Sequence, residues 1–203
     1  MALLAQILAA NLFGAEMEDL GQQVLLLPAE EVLVEKAVRK RQREFALGRA
    51  CARVALEKLG HGDAVIGRDA NGAPLWPDGT VGSITHTKGY AAALVAESAR
   101  FAGIGVDAER VGGVTRNLWP RLFDKAELDY LAALDEVAQA CAATLIFSAK
   151  ETSYKAWGCS GPLVFQDIRI TAQADGFTAV RGGESLQGRY AVEGGLMVTA
   201  AWF

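Results

Sequence analysis

Two pairs of charged side chains in the second half of the chain are spaced in ways that could do chemistry. Asp107 and Glu109 close the run Gly103-Ile-Gly-Val-Asp-Ala-Glu109. Read as a strand, its period of two turns both carboxylates to one side, near enough to share a cation. A hard divalent ion such as Mg2+ takes one or two carboxylates and completes its shell with waters and substrate phosphates. Ala108, between them, has only a backbone carbonyl to offer. Glu151 and Lys155 fall four residues apart in Phe147-Ser-Ala-Lys-Glu-Thr-Ser-Tyr-Lys-Ala-Trp157, so they share a helix face with the acid toward the N-terminus. The plain account of that spacing is a helix ion pair adding about 0.2–0.5 kcal/mol. The sharper account is a polar floor for a site: an acid to hold metal or take a proton, and a lysine to hold phosphate. Ser83-Ile-Thr-His86 is a third polar stretch, in which Thr85 and His86 can each hydrogen-bond a phosphate. Taken singly, each pattern is commoner as ordinary structure. Paired acids at a strand end usually face solvent, and a lone histidine is usually structural.

A fourth cluster is cationic. Arg39, Lys40, Arg41, Arg43, Arg49 and Arg53 crowd one helical segment, with Glu44 as the acid near them. A solvated basic face is the ordinary outcome of such a run. Six cations against one acid is nevertheless too lopsided for i,i+4 pairing, and an anionic ligand or partner would account for it. The formal net charge of the whole chain is −4, which argues against a nucleic-acid binder. Three cysteines (Cys51, Cys141, Cys159) without CxxC spacing, and two histidines, leave little for a zinc site and point to reduced thiols. The apolar N-terminus lacks the basic flank of a signal peptide, its first basic side chain being Lys36. Leu4, Ile7, Leu8 and Leu12 fit an amphipathic helix instead. No stretch is long and apolar enough to span a bilayer. These features predict a soluble, cytoplasmic protein, long enough at 203 residues for a sizeable core.

Gln22–Leu27 reads as a buried strand stopped by Pro28. A long helix is expected from about Ala29 to Leu59, ending at Gly60, with Phe45, Leu47, Ala50, Cys51 and Val54 in its apolar stripe. Arg68–Pro77 is dense in turn residues and reads as a loop. Val81–Thr85, Tyr90–Ala96 and Ala102–Val106 read as strands, and the short link Thr87-Lys-Gly89 favours an antiparallel hairpin. Leu118–Leu134 and Glu136–Trp157 read as helices, the second stopped by Gly158. Val164–Ala172, Phe177–Arg181, Arg189–Val192 and Leu196–Phe203 read as closing strands. The order of helix, strands, helices and strands predicts an α+β fold. Two roughly equivalent halves, residues 1–103 and 104–203, would meet near Gly103 and work as one unit.

In this order the pieces resemble a known family. Gly82-Ser-Ile-Thr-His86, Gly105-Val-Asp-Ala-Glu109 and Phe147-Ser-Ala-Lys-Glu-Thr-Ser-Tyr-Lys-Ala156 are similar to the three signature motifs of the 4′-phosphopantetheinyl transferases. Arg43-Glu-Phe45, Gly48-Arg49 and Pro74-Leu-Trp-Pro77 resemble the short type that serves siderophore synthetases. The resemblance spans roughly residues 22–165. It departs from many relatives in having Gly-Ser and Thr where they have Trp-Asn and Ser, and Val and Ala where Ile is common. It implies a fold of two similar α/β halves about a pseudo-twofold axis, mostly antiparallel in its sheets, and a monomer. It also implies transfer of 4′-phosphopantetheine from coenzyme A to a serine of an acidic apo-carrier protein (peptidyl, aryl or acyl), releasing 3′,5′-ADP. Mg2+ or Mn2+ would sit on Asp107, Ala108, Glu109 and Glu151. Glu151 would serve as base, Lys155 would grip phosphate, and His86 with Thr85 would hold the phosphate side of the substrate. Arg41 and Arg49 match positions that bind the nucleotide phosphates. Arg68, Asp69, Ala70 and Asn71 fall where relatives cradle the adenine, and Phe165 falls near the pantetheine arm. Neither nucleic acid nor membrane is expected as a partner. The alternative is a silent coenzyme A binding module, which predicts loss of one of Asp107, Glu109, Glu151 and Lys155; all four are present.

Overall fold

Tyr90–Ala96 is apolar at every position because both of its faces are covered. A computed structural model describes residues 3–158 and 162–203. Its first half runs α1 (Leu3–Ile7), β1 (Phe13–Glu18), α2 (Pro28–Glu31), α3 (Arg39–Glu57), β2 (Gly67–Arg68), β3 (Pro74–Leu75), β4 (Thr80–Thr87) and β5 (Tyr90–Glu97). The second runs β6 (Ile104–Arg110), α4 (Trp119–Leu122), α5 (Lys125–Ala132), α6 (Glu136–Ala156), β7 (Arg169–Gln173), β8 (Gly176–Arg181), β9 (Glu184–Glu193) and β10 (Leu196–Trp202). One sheet has the order β1-β5-β4 and the other β6-β10-β9-β8-β7, and β2 and β3 form a small hairpin of their own. Every pairing is antiparallel. The architecture is the expected α+β one, with one long helix packed on each antiparallel sheet.

Alternation along β5 divides the core. Ala91, Ala93 and Val95 pack with Leu47, Cys51, Ala52 and Leu56 of α3. Tyr90, Ala92, Leu94 and Ala96 join Ile104, Val106 and Ala108 of β6, Val198 and Ala200 of β10, and Leu3, Leu4 and Ile7 of α1. A third cluster fills the space between α6 and the five-stranded sheet. Of the N-terminal residues expected to form an amphipathic helix, Leu4 and Ile7 do so in a short α1 laid across elements of both halves, whereas Leu8 and Leu12 lie beyond its end.

Three expected elements are different in the structure. Gln22–Leu27 is not a strand. The Gln22 carbonyl accepts from Arg43 and the Leu25 carbonyl from Arg53, so the segment is tied to α3 by side chains rather than to a sheet by a ladder. The helix expected over 29–59 is two helices. The fully buried Glu30 takes hydrogen bonds from Arg53 at 2.6 Å and from the Ile66 amide at 3.2 Å. In one straight helix residues 30 and 53 would lie about 35 Å apart, so the chain must double back between α2 and α3. Leu118–Leu134 breaks at Asp124, which caps α5 in a reciprocal box with Glu127. Two smaller differences follow from exposure: Val54 faces solvent rather than the core, and β7 begins at Arg169 after a 3-10 turn at Phe165–Asp167. Cys51 and Cys141 are free thiols; Cys159, counted with them above, lies outside the described residues.

Candidate active site

The site is built where β6 meets α6, and two glycines make that meeting possible. A Cβ at Gly103 would stand 2.0 Å from the Ala156 carbonyl oxygen, and one at Gly105 would stand 2.0 Å from that of Thr152. With hydrogen there, the strand lies against the helix backbone, and Lys155 reaches across. Its Nζ donates to the Val106 carbonyl at 3.2 Å and to Asp107 Oδ1 at 2.8 Å. On β6 the odd positions face α6 and the even ones face the core, so Asp107 and Glu109 do share a side. Ala108 points its methyl into the core and donates its amide to Thr85 Oγ1 at 3.1 Å.

The two sheets meet at β4 and β6, joined by hydroxyls. Ser83 Oγ accepts from the Val106 amide at 3.1 Å, and Thr85 Oγ1 donates to Asp107 Oδ1 at 3.1 Å. Odd positions of β4 therefore face the seam. The even ones, Gly82, Ile84 and His86, face the clefts beside α3. Asp107 is 5% exposed and held on both oxygens, since Ser148 Oγ donates to Oδ2 at 2.9 Å.

Negative charge is crowded here. Burial pushes the Glu109 carboxyl up to about 7, with Asp107 and Glu151 adding to the rise and Lys155 opposing it. Glu151 is likewise raised by burial, with Lys155 lowering and Asp107 raising it. Burial works against the charge on Lys155, but Asp107 and Glu151 outweigh it and its ammonium is held more tightly than usual. Three carboxylates in one field, two of them reluctant to ionise, are a donor set suited to a hard divalent cation. Among the described residues no group of three or more His, Cys, Asp or Glu side chains stands ready-made around one point for a metal. Lys155 is the cation at Asp107 in this arrangement.

Glu151 and Lys155 open on a cleft of about 520 Å3, walled by Tyr154, Trp76, Pro74 and the Asp69–Ala73 turn. Trp76 packs against Gly82, where a Cβ would stand 2.3 Å from the indole. The cleft shares Gly72, Pro74 and Ile84 with a smaller hollow lined by Arg41, Arg49, Arg68, His86 and Glu44. Asp69 Oδ1 accepts the amides of Asn71 and Ala73 at 2.9 and 2.8 Å, which folds the β2–β3 turn into the cleft wall. Ala70 is exposed in that turn and lines neither cavity.

The basic cluster on α3 looks different in three dimensions. Arg43 is paired with Asp19, Arg53 with Glu30, and Lys40 lies 3.7 Å from Glu44. The acids that balance the helix come from remote segments, so the imbalance read along the sequence is largely neutralised. Arg49 is 4% exposed, donates to the Ile66 and Gly67 carbonyls at 3.0 Å each, and stacks its guanidinium over Phe45. Burial lowers its guanidinium to about 10, which leaves it charged at neutral pH. Arg41 is freer and donates to His86 Nε2. His86 therefore accepts at Nε2 and turns Nδ1 toward Glu44. Burial and Arg41 lower its affinity for a second proton.

Phe165 stacks on Phe147, its ring centroid 5.3 Å away, one helical turn before Glu151. Lys150, in the same motif, is not part of the site. It is wholly buried and donates to Glu127 at 2.6 Å and to the Leu122 and Phe165 carbonyls. The sequence reading missed Ser148 as a partner of Asp107, and it missed Thr199. A serine inside an apolar helix opposite a strand carboxylate was the available signal for the first. For Thr199 only strand register could have supplied one.

Comparison with known proteins matches this sequence to one family. Residues 29–96 match the model of the 4′-phosphopantetheinyl transferase N-terminal domain, and residues 103–199 match that of the 4′-phosphopantetheinyl transferase superfamily. The 4′-phosphopantetheinyl transferase Npt of Nocardia iowensis is 37% identical over 93% of this chain and 85% of its own length. The 4′-phosphopantetheinyl transferase PptT of Mycobacterium tuberculosis is 34% identical over 98% of this chain and 96% of its own length. Enterobactin synthase component D of Escherichia coli is 34% identical over 73% and 70% of the two chains. A solved holo-[acyl-carrier-protein] synthase from Thermotoga maritima covers 50% of this chain and 62% of its own, at 16% identity and a TM-score of 0.43, too loose a likeness to carry weight. The chain belongs to the 4′-phosphopantetheinyl transferase superfamily. It is an enzyme of that class, with coenzyme A as its substrate and carrier proteins as the acceptors.

Proposed function

We propose that the junction of α6 with β6 is the centre at which the phosphopantetheinyl group is transferred. The observation that carries the reading is that Asp107, Glu151 and Lys155 converge there, at a cleft that opens into an arginine-lined hollow. Arg41, Arg49 and Arg68, with His86 bracing Arg41, take the nucleotide phosphates of coenzyme A. The turn of Asp69, Ala70 and Asn71 flanks the adenine, and the stacked Phe147–Phe165 pair lies on the pantetheine side.

Asp107, Glu109 and Glu151, with the Ala108 backbone beside them, would hold Mg2+ or Mn2+. When bound, that ion supplies neutralisation of the charge that builds on the departing phosphate. Glu151 takes the proton of the incoming serine hydroxyl, and its raised carboxyl brings it nearer the pH at which a base works best. As the serine Oγ–P bond forms, the bridging P–O bond of the pyrophosphate breaks and 3′,5′-ADP leaves. Lys155 holds a phosphate oxygen through both states, and Thr85 keeps Asp107 in place. The enzyme acts as a monomer in the cytoplasm on an acidic apo-carrier of siderophore synthesis. Likeness to enterobactin synthase component D supports the pathway, and free thiols at Cys51 and Cys141 suit that compartment. Among the described residues no helix is long and apolar enough to cross a membrane.

The test is incubation with coenzyme A and Mg2+ against peptidyl, aryl and acyl apo-carriers, read by intact mass. Gain of one phosphopantetheine by a peptidyl or aryl carrier is expected. Modification that persists in full after exhaustive chelation would remove the metal from the reading. Modification of the acyl carrier alone would remove the siderophore assignment.

A further inference from the structure

Behind Asp107, on the side away from the cleft, lies a row of buried hydroxyls. Thr199 is the antiparallel partner of Asp107, on β10 opposite β6, so the two side chains stand together on the face that α6 covers. Ser148 and Thr152, one helical turn apart on α6, enter that space. Ser148 Oγ lies 2.9 Å from Thr199 Oγ1, and Thr152 Oγ1 lies 2.5 Å from it. All three residues are fully buried.

The first of these hydrogen bonds has a set direction, and the rest can follow it. An ionised carboxylate only accepts, so the Ser148 hydroxyl must give its proton to Asp107 Oδ2. Ser148 Oγ is then free to accept from Thr199 at 2.9 Å, whose hydroxyl has the Ser148 carbonyl at 3.3 Å as its other acceptor. Thr199 Oγ1 can in turn accept from Thr152, whose hydroxyl has the Thr199 carbonyl at 3.4 Å as its other acceptor. Each donor is polarised by the next, and the row ends on charge, where such bonds are strongest. A hydroxyl row that points one way fixes the rotamer of the carboxylate at its end.

We infer that Thr199, which lies outside every sequence motif of the site, is a positioning residue: through Ser148 it aims Asp107 at the cation of the transfer reaction. This rests on the metal reading above. Outer hydrogen-bond partners of ligating groups set how well the ligand is presented, and losing one weakens metal binding by about 10–100-fold.

The test uses the purified full-length enzyme and Mn2+ alone, titrated by electron paramagnetic resonance without carrier. Thr199→Val keeps the shape and removes the hydroxyl, whereas Thr199→Ser keeps the hydroxyl and removes a methyl. Thr199→Val is expected to weaken Mn2+ binding by about tenfold, the low end of that range. Thr199→Ser should stay within about twofold of the wild type, since its hydroxyl row is unbroken. The KM for coenzyme A should be unchanged in both. Normal Mn2+ affinity in Thr199→Val would overturn the inference. So would equal losses in the two variants, because packing rather than the hydroxyl would then be the cause. If the wild type itself binds no Mn2+, the metal reading falls and takes the inference with it, an outcome distinct from the other two.

Discussion

The helices α3 and α6 are built alike and used differently. Each lies on an antiparallel sheet, and each ties one cation to a buried acid on a short neighbouring helix. For α3 the pair is Arg53 with Glu30 of α2, and for α6 it is Lys150 with Glu127 of α5. Beyond those anchors they diverge. On α3 the remaining cations are largely met by Asp19, Glu44 and two backbone carbonyls. On α6, Glu151 and Lys155 turn toward a strand that already carries two carboxylates, and the acids there outnumber the cation. The number of charges along a helix therefore says little about which helix does chemistry. What matters is whether the rest of the fold neutralises the charge or adds to it.

The largest effect that would sharpen this contrast is at Glu151. Glu151→Gln keeps the size of the side chain and removes both a ligand charge and a base. A fall in kcat of about 10²–10⁴-fold is expected, with coenzyme A affinity changed little, as for an interaction made mainly in the transition state. Lys155→Ala should lower affinity and kcat together, because an ammonium that holds phosphate acts in both states. Steady-state kinetics and calorimetry on the two variants separate these patterns. Near-normal kcat in Glu151→Gln would reduce Glu151 to the ion-pair partner of Lys155.

The anchors should behave alike on both helices. Glu127→Ala leaves the fully buried Lys150 without its acid, which costs about 3–5 kcal/mol of stability, and Glu30→Ala strips both the half-buried Arg53 and the buried Ile66 amide of theirs. Chemical denaturation should show similar losses for the two, while kcat per folded molecule is retained. A loss at one and none at the other would break the parallel.

Smaller effects are expected in the arginine hollow. Arg41→Ala should weaken coenzyme A binding by about 1.5–3 kcal/mol, the worth of a hydrogen bond to a charged group, and leave the melting temperature unchanged. Arg49→Ala should lower the melting temperature as well, since it also strips hydrogen bonds from the Ile66 and Gly67 carbonyls. Calorimetry paired with thermal melts decides the point. If Arg49→Ala altered affinity alone, its carbonyl contacts would be incidental to the fold.

Much of α6 and the strand hairpins was legible in the sequence because their signals are local. The apolar run before Glu151, the cap at Gly158 and the link Thr87–Gly89 each act over a few residues. The site was legible as motifs, and Asp107, Thr85, Glu151 and Lys155 do come together. What was illegible depends on partners distant in sequence. The break between α2 and α3 is set by Glu30 meeting Arg53 and Ile66. The balance of the α3 cations is set by Asp19 and Glu30. Thr199 becomes visible only once β10 is registered against β6.

The last expected effect concerns the crowding of acids at α6, and it appears as a dependence of stability on pH. In the folded enzyme the Glu109 carboxyl is pushed up to about 7, against an ordinary value of 4.5. Between those values the folded state keeps a proton that the unfolded chain has lost. Stability contributed by this group is therefore full below about 4.5, falls as pH rises toward 7 and is level above it. Glu109→Gln cannot ionise, so it should melt with the wild type at pH 4.5 and at a higher temperature than the wild type at pH 8. Each kcal/mol of relief corresponds to about 2–4 °C in a chain of this length. Added Mg2+ should raise the wild-type midpoint at pH 8 more than that of Glu109→Gln, because the ion binds best where the carboxylate is intact. No other group in the molecule needs to be disturbed for this measurement, and α3 offers the control. Glu44→Gln, which removes the acid 3.7 Å from Lys40 and 3.9 Å from Arg41, is the matched substitution on that helix. Identical pH dependence in wild type and Glu109→Gln would mean that the acids facing α6 are no more crowded than those facing α3, and the difference between the two helices would have to lie in their lysine and arginine geometry alone.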